Sequence, residues 1–211
     1  MGIVTMGIPQ QIVIDLARLN GATVFVETGT FHGDTTRWAS NHFEKVHTIE
    51  RAESLYKLHS SELARIKGVV PHFGDSRNIL PQIVRTLDGQ RAVYWLDGHW
   101  SGGETAGKED ECPLLDELAC LSGRAEDIIL IDDARLFLCA PPLAHDPIQW
   151  PTLPDVVDAL LRSAKGPLIQ IVDDVIFIVP DENPLRSCLV GYAQTRAHDF
   201  WEEFGKLQRS R

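Results

Sequence analysis

Apolar residues in this chain fall into short unbroken runs separated by amphipathic stretches, and the alternation repeats almost from end to end. Runs such as Ala92 to Leu96 and Ile128 to Ile131 carry no polar break, which is the pattern of parallel strands covered on both faces. Further strands are expected at Thr23 to Glu27, Val46 to Glu50 and Val69 to Phe73, with the fourth ending at Asp97. Between them the apolar spacing turns helical. Ile12, Val13, Leu16 and Leu19 predict a leading helix over about 8–21, stopped by Asn20-Gly21 as a C-cap. Helices follow from about Asp34 to His42, with Asp34, Thr35 and Thr36 as caps, and from Ala52 to Ile66, with Leu55, Leu58 and Leu63 on one face. Two more run from Ser76 to Leu87 and from Pro113 through Leu121.

Near the end, Leu168 to Val172 and Val175 to Val179 are split by Asp173-Asp174 and read as a hairpin. Five strand-helix units closed by a hairpin differ from an ordinary dinucleotide-binding sheet, which finishes with another parallel crossover. The pattern predicts an α/β chain: a Rossmann-like, doubly wound, seven-stranded sheet, mostly parallel, with helices on both faces. One domain spans 1–211, with its core at about 22–180 and a C-terminal helix at about 195–208 docked through Phe200, Trp201 and Phe204. Pro141 to Pro154 reads as a long connection, and the glycine-rich, acidic stretch His99 to Glu111 as a mobile loop at the ligand rim.

At 211 residues and 44% hydrophobic, the chain can bury roughly 70% of its unfolded surface without covalent staples. Cys112, Cys120, Cys139 and Cys188 lack paired spacing, so reduced thiols and a cytoplasmic location are expected. Met1 to Met6 does not read as a secretory signal, and Met6 stands where myristoylation needs Ser or Thr. No apolar run approaches the roughly 20 residues that span a bilayer, so no membrane partner is expected. A net charge of −10 with scattered basic residues argues against nucleic acid and suits a small neutral or cationic substrate. Whether the chain forms a homo-oligomer stays open.

The chemistry gathers at strand ends. In Glu27-Thr28-Gly29-Thr30-Phe31-His32-Gly33-Asp34, the two glycines let the backbone turn close to a ligand beneath a helix N-terminus. Glu50 closes the second strand, where an acid can accept both hydroxyls of a ribose. After the third strand, Asp75 either meets an adenine amino group or caps the helix that Ser76 begins. Asp97, Asp132 and Asp133 end the fourth and fifth strands. If those strands are neighbours the acids converge, and such a cluster makes sense mainly around a hard cation, Mg²⁺, Mn²⁺ or Ca²⁺. His99, two residues beyond Asp97, titrates near neutrality and can take a proton. Trp100 either stacks on an acceptor or anchors the loop.

Glu27-Thr28-Gly29 with Gly33, then Glu50, Gly74-Asp75-Ser76, Asp97 and the closing hairpin resemble class I S-adenosylmethionine-dependent methyltransferases over nearly the whole chain. Asp97-Gly98-His99-Trp100 and Asp132-Asp133 look like the metal-dependent small-molecule O-methyltransferases related to macrocin O-methyltransferase, which act on sugar hydroxyls. Phe31 stands where the superfamily has a middle glycine, and His99 where that group has a second aspartate. The resemblance implies contacts to S-adenosyl-L-methionine at Glu27, Thr28, Gly29, Thr30, Gly33, Thr35, Glu50, Arg51, Gly74, Asp75, Ser76 and Asp97. It implies a divalent metal, Mg²⁺ first, on Asp97, Asp132 and Asp133, and catalysis by His99 with Asp97 on a small-molecule hydroxyl. The acceptor would be met by the loop after Gly98 and the connection around His145 and Trp150. An NAD-dependent oxidoreductase fits the first strand, the glycine turn and Glu50 equally well, and a nucleoside-binding module without turnover is kept open by His99.

Overall fold

The computed structural model describes residues 7–162 and 166–209, so the reading of Met1 to Met6 lies outside the described residues. The elements follow in the order α1 (Gln10–Asn20), β1 (Val24–Thr28), α2 (Asp34–Ala39), β2 (Lys45–Glu50), α3 (Glu53–Leu63), β3 (Val69–Phe73), α4 (Ser76–Thr86) and β4 (Ala92–Leu96). Then come α5 (Leu114–Leu121), β5 (Ile128–Ile131), α6 (Arg135–Leu138), a 3-10 turn at Pro147–Gln149, α7 (Leu153–Leu161), β6 (Leu168–Val172), β7 (Val175–Val179) and α8 (Leu185–Arg209).

The seven strands form one sheet in the order β3-β2-β1-β4-β5-β7-β6. Pairs among β1 to β5 are parallel, while β7 runs antiparallel to both β5 and β6. The expected hairpin and the mixed sheet are both present. Alternate residues of each central strand face opposite sides of the sheet, so two cores form. Val24, Val26, Tyr94 and Leu96 pack under α4, α5 and α7, through Leu80, Leu118 and Val156 among others. Phe25, Val93, Trp95 and Leu130 pack under α1, α3 and the start of α8, through Leu16, Leu63 and Leu189. Central strands buried on both sides need the unbroken apolar runs seen in the sequence.

Gly21 ends α1 in the left-handed region, its N–H and that of Ala22 donating to Arg18 and Ala17, so the expected C-cap is present. Two helical faces were drawn too wide. Leu19 on α1 is 43% exposed and Leu58 on α3 is 68% exposed, because each helix buries only a narrow stripe. The Pro141 to Pro154 stretch is less irregular than expected, since α7 begins inside it with a capping box between Thr152 and Asp155. The terminal helix starts at Leu185 rather than near residue 195, and it docks by its first turns. Phe200, Trp201 and Phe204 are exposed, contrary to the expected docking, because the body of the protein ends before they are reached. No described helix is long and apolar enough to cross a membrane.

Candidate active site

Beyond the regular strands, backbone hydrogen bonds carry the ladder into the loops and fix where the site residues stand. Gly29 N–H donates to Ile49 O at 3.0 Å, Gly74 N–H to Glu50 O at 2.9 Å, Asp97 N–H to Thr28 O at 3.2 Å and Asp132 N–H to Leu96 O at 3.2 Å. The C-terminal ends of β1 to β5 therefore share one rim. A cavity of about 680 Å³ opens there, within the range of roughly 300–1,000 Å³ typical of small-molecule sites.

Of the residues expected to hold a cofactor, Gly29, Thr30, Thr35, Glu50, Arg51, Gly74, Asp75, Ser76 and Asp97 line this cavity. Glu27, Thr28 and Gly33 do not; they lie behind its wall. Gly29 sits at φ +83°, and a methyl group there would overlap the carbonyl of Asp97. Only glycine lets β1 and β4 close at this point. Glu27 is buried and accepts hydrogen bonds from Thr36 at 2.5 Å and Thr48 at 2.7 Å. Burial, opposed by those hydroxyls and aided by Glu50, pushes its pKa up to about 7.

Glu50 and Asp75 each serve the backbone before any ligand. Glu50 accepts from Phe31 N–H at 2.9 Å and Ala52 N–H at 2.7 Å, one on each carboxylate oxygen, leaving lone pairs toward the cavity. Asp75 is the N-cap of α4, accepting from Arg77 N–H at 3.0 Å, and it also pairs with the Arg77 guanidinium at 2.9 and 2.6 Å. Of its two sequence readings the cap is realised. The Arg77 hydrogen bonds hold its pKa below the usual carboxylate range.

On the other side of the cavity β4 and β5 are neighbours, and Asp97, Asp132 and Asp133 reach the same space as expected. One of the three is drawn to basic partners. Asp133, at φ +55°, turns its carboxylate to His99 Nε2 at 2.9 Å and to Arg135 at 2.6 Å. Those two partners keep its pKa down against the effect of burial. Asp132 accepts only the Asp133 N–H, at 2.8 Å, among the recorded hydrogen bonds. Burial and the neighbouring Asp133 raise its pKa to about 6. Asp97 lies 3.7 Å from His99 Nδ1, and burial raises its pKa as well. For His99 burial opposes the charged form, but Asp133, Asp97 and Asp132 outweigh it and the pKa rises. Among the described residues no group of three His, Cys, Asp or Glu side chains is arranged to hold an ion. Asp133 is engaged instead with His99 and Arg135.

Residues 99–111 follow a defined path across this rim. Asp110 pairs with Arg51 and Arg77 at the Glu50 end of the cavity. Its neighbour Glu111 is buried and accepts from Trp150 Nε1 at 2.6 Å and Asp146 N–H at 3.0 Å, with His145 Nδ1 at 2.8 Å. His145 and Trp150, expected at the acceptor, are spent on this anchor and lie outside the cavity. Trp100 is buried with its ring 5.3 Å from that of His145, which settles it as a loop anchor. The sequence reading missed Arg135, Arg77 and the Ile8 to Gln10 turn, all near or in the cavity wall. Arg135 had a signal, two residues beyond the Asp132-Asp133 pair.

No protein-family model matches the chain, and comparison with curated proteins finds no match. Solved structures do resemble it. The O-methyltransferase TomG from Streptomyces achromogenes, involved in tomaymycin synthesis and seen with S-adenosylmethionine, superposes with a TM-score of 0.53 at 18% identity, covering 83% of this chain and 82% of TomG. An O-methyltransferase from Bacillus cereus, seen with S-adenosylhomocysteine, gives 0.53 at 16% identity, covering 82% of each chain. A Klebsiella pneumoniae protein described as an O-methyltransferase gives 0.50 at 14%, covering 84% of this chain and 83% of that one. The chain shares its fold with these three proteins.

Two outcomes follow from the buried contacts. Gly29→Ala should cost several kcal/mol, through strain at positive φ and the overlap with Asp97, and a urea midpoint equal to wild type would contradict it. Glu27 keeps its proton in the folded state up to about pH 7, whereas the unfolded chain releases it near pH 4.5. Stability contributed at this position therefore falls as pH rises between those values and levels off above them. Glu27→Gln keeps an oxygen for Thr36 and Thr48 and does not titrate. Its stability relative to wild type should grow from pH 4.5 to 7 by on the order of 2 kcal/mol. A gap that is constant with pH in urea titrations would mean Glu27 is ionised when folded.

Proposed function

We propose that the protein is an S-adenosylmethionine-dependent O-methyltransferase acting on a hydroxyl of a small molecule. The observation that carries this reading is a single cavity whose one wall is the Gly29 turn with Glu50 and whose other wall is His99 with Asp133. S-adenosylmethionine, when bound, supplies a methyl group on a positively charged sulfur. Glu50 is suited to accept the ribose hydroxyls, because its carboxylate is already held in place by two backbone N–H donors. Gly29 and the N-terminus of α2 give the amino-acid end a close backbone approach. The acids of the rim favour a cationic sulfonium electrostatically.

At the opposite wall His99 is the group suited to take the acceptor proton. In the neutral form of the ring, with Nε2–H donating to Asp133, Nδ1 carries a free lone pair, 3.7 Å from Asp97. Asp133 fixes that tautomer and stabilises the imidazolium that forms, as Arg135 in turn fixes Asp133. The buried ring is 5.3 Å from Trp150, so its orientation is set by packing as well as by charge. Much of the rate in such a displacement comes from alignment of nucleophile and methyl carbon, which a rigid rim supplies.

A divalent ion belongs to the same reading in a narrower form. Asp97, Asp132 and Asp133 are hard oxygen donors and would hold Mg²⁺ if Asp133 let go of His99 and Arg135; the ion would then acidify a bound hydroxyl. The proton transfer to His99 does not depend on it. The loop residues Ser101, Thr105 and Ala106 supply the rest of the wall that a small acceptor would meet.

Calorimetry on the purified protein tests the cofactor. S-adenosylhomocysteine should bind with micromolar affinity and NAD should not; the reverse result would assign the cavity to a nicotinamide cofactor. In single-turnover assays against a panel of hydroxyl acceptors, His99→Ala should slow methyl transfer by about 10²–10⁴-fold while leaving S-adenosylhomocysteine affinity within a few-fold of wild type. A wild-type rate would remove His99 from the chemistry. If Mn²⁺ binds, Asp132→Asn should abolish it, whereas no Mn²⁺ binding by the wild-type protein would remove the metal and leave the rest standing.

A further inference from the structure

The hairpin that closes the sheet sends one residue toward the site. Its turn, Val172-Asp173-Asp174-Val175, holds both central residues at positive φ, +49° and +69°, the geometry that suits the twist of two paired strands. Glycine or asparagine meets that demand with less strain than two aspartates do. Each aspartate has a partner on a neighbouring element. Asp173 accepts from the Tyr192 hydroxyl at 3.2 Å and pairs with Arg196, which ties the turn to α8. Asp174 is only 7% exposed and reaches α6. Its carbonyl accepts from Ala134 N–H at 2.8 Å, one carboxylate oxygen accepts from Arg135 N–H at 2.9 Å, and the other takes the Arg135 guanidinium.

The consequence lies at Asp133. The same Nη1 of Arg135 that meets Asp174 donates to Asp133 Oδ1 at 2.6 Å, while Asp133 Oδ2 meets His99 Nε2 at 2.9 Å. Both oxygens of Asp133 are therefore engaged. Asp132 receives one backbone N–H, and the nearest recorded partner of the Asp97 carboxylate is His99 Nδ1 at 3.7 Å. Arg135 is fixed at its root as well, because Ala134, Leu136 and Phe137 are buried in the core beside it. A hard divalent ion asks for several oxygen ligands and is repelled by a guanidinium held among them. Two open carboxylates and a clamped third suit it poorly.

We propose that Arg135, held in place by Asp174, is a built-in competitor for a divalent ion at Asp97, Asp132 and Asp133. The guanidinium supplies the positive charge that an ion would otherwise bring, and its removal leaves three carboxylates to be balanced from outside. The hairpin turn thus sets how readily the acids take a metal. This inference rests on the cation reading of those acids and not on the transfer of a methyl group.

Mn²⁺ alone, titrated into the full chain by calorimetry, tests it. Arg135→Met should bind Mn²⁺ at least tenfold more tightly than wild type, and adding Asp132→Asn should abolish the gain. Arg135→Lys, which keeps the charge, should gain less; an equal gain would trace the effect to vacated space and overturn the proposal. Arg51→Met removes a cation from the Glu50 end of the same cavity and should change the affinity by less than threefold. A tenfold gain there would make the effect one of overall charge, which also overturns it. Should Arg135→Met fail to fold, Arg135→Gln, whose amide keeps a donor for Asp174, makes the same comparison. Equal Mn²⁺ affinity in wild type and the Arg135 variant would overturn the competitor role and leave the cation reading standing, whereas no binding by either would remove both. None of these results depends on the acceptor or on S-adenosylhomocysteine binding.

Discussion

The close approach of β1 to β4 at Gly29 is the constraint on which the site depends. Thr28 holds Asp97 by its carbonyl at 3.2 Å and its hydroxyl at 3.1 Å, and the missing side chain at position 29 leaves room for the Asp97 carbonyl beside it. Once that junction is closed, Asp97 and Gly98 can turn only toward the rim. His99 follows within reach of Asp133, because β5 is locked beside β4 in parallel register. A wider gap at position 29 would move the two walls of the cavity apart.

Burying polar groups at the top of a sheet is costly unless each finds a partner, and this protein resolves that in two different ways. On the β1–β2 side the partners are neutral: threonine hydroxyls for Glu27 and backbone N–H groups for Glu50. On the β4–β5 side they are basic, Arg135 and His99 for Asp133. On the first side burial without a cationic partner pushes the Glu27 pKa up to about 7. The second contains a titratable ring between carboxylates, where a proton can arrive and be stabilised. The two walls of the cavity thus differ in character because different groups were available to pair with each buried acid.

Strand runs and the closing hairpin were legible because burial on both faces leaves an unmistakable apolar pattern, and a sheet of seven strands follows from it. Leu19 and Leu58 misled because helical spacing predicts which residues share a face but not how wide a stripe the neighbours cover. The helix from Leu153 was passed over although Thr152-Leu153-Pro154-Asp155 carries both a capping box and a proline suited to a first turn; prolines were weighed as breakers where they were starters. Within the site, the convergence of Asp97, Asp132 and Asp133 could be read from strand ends alone. The pairing of Asp133 with Arg135 and His99 could not, since it turns on the positive φ at Asp133, which a non-glycine residue rarely adopts and no spacing announces.

Asp110 and Glu111 show how adjacent residues can divide a loop's work. A glycine-rich acidic stretch has little apolar surface to hold it down, so any fixed path must come from polar contacts. Asp110 reaches two arginines that also hold Asp75, while Glu111 points the opposite way into a buried cluster with Trp150 and His145. The ionic end is partly exposed and screened by salt, whereas the buried end is not. The loop therefore has a buried attachment at Glu111 and a partly exposed ionic one at Asp110. Added salt accordingly weakens the Asp110 attachment before it weakens the one at Glu111.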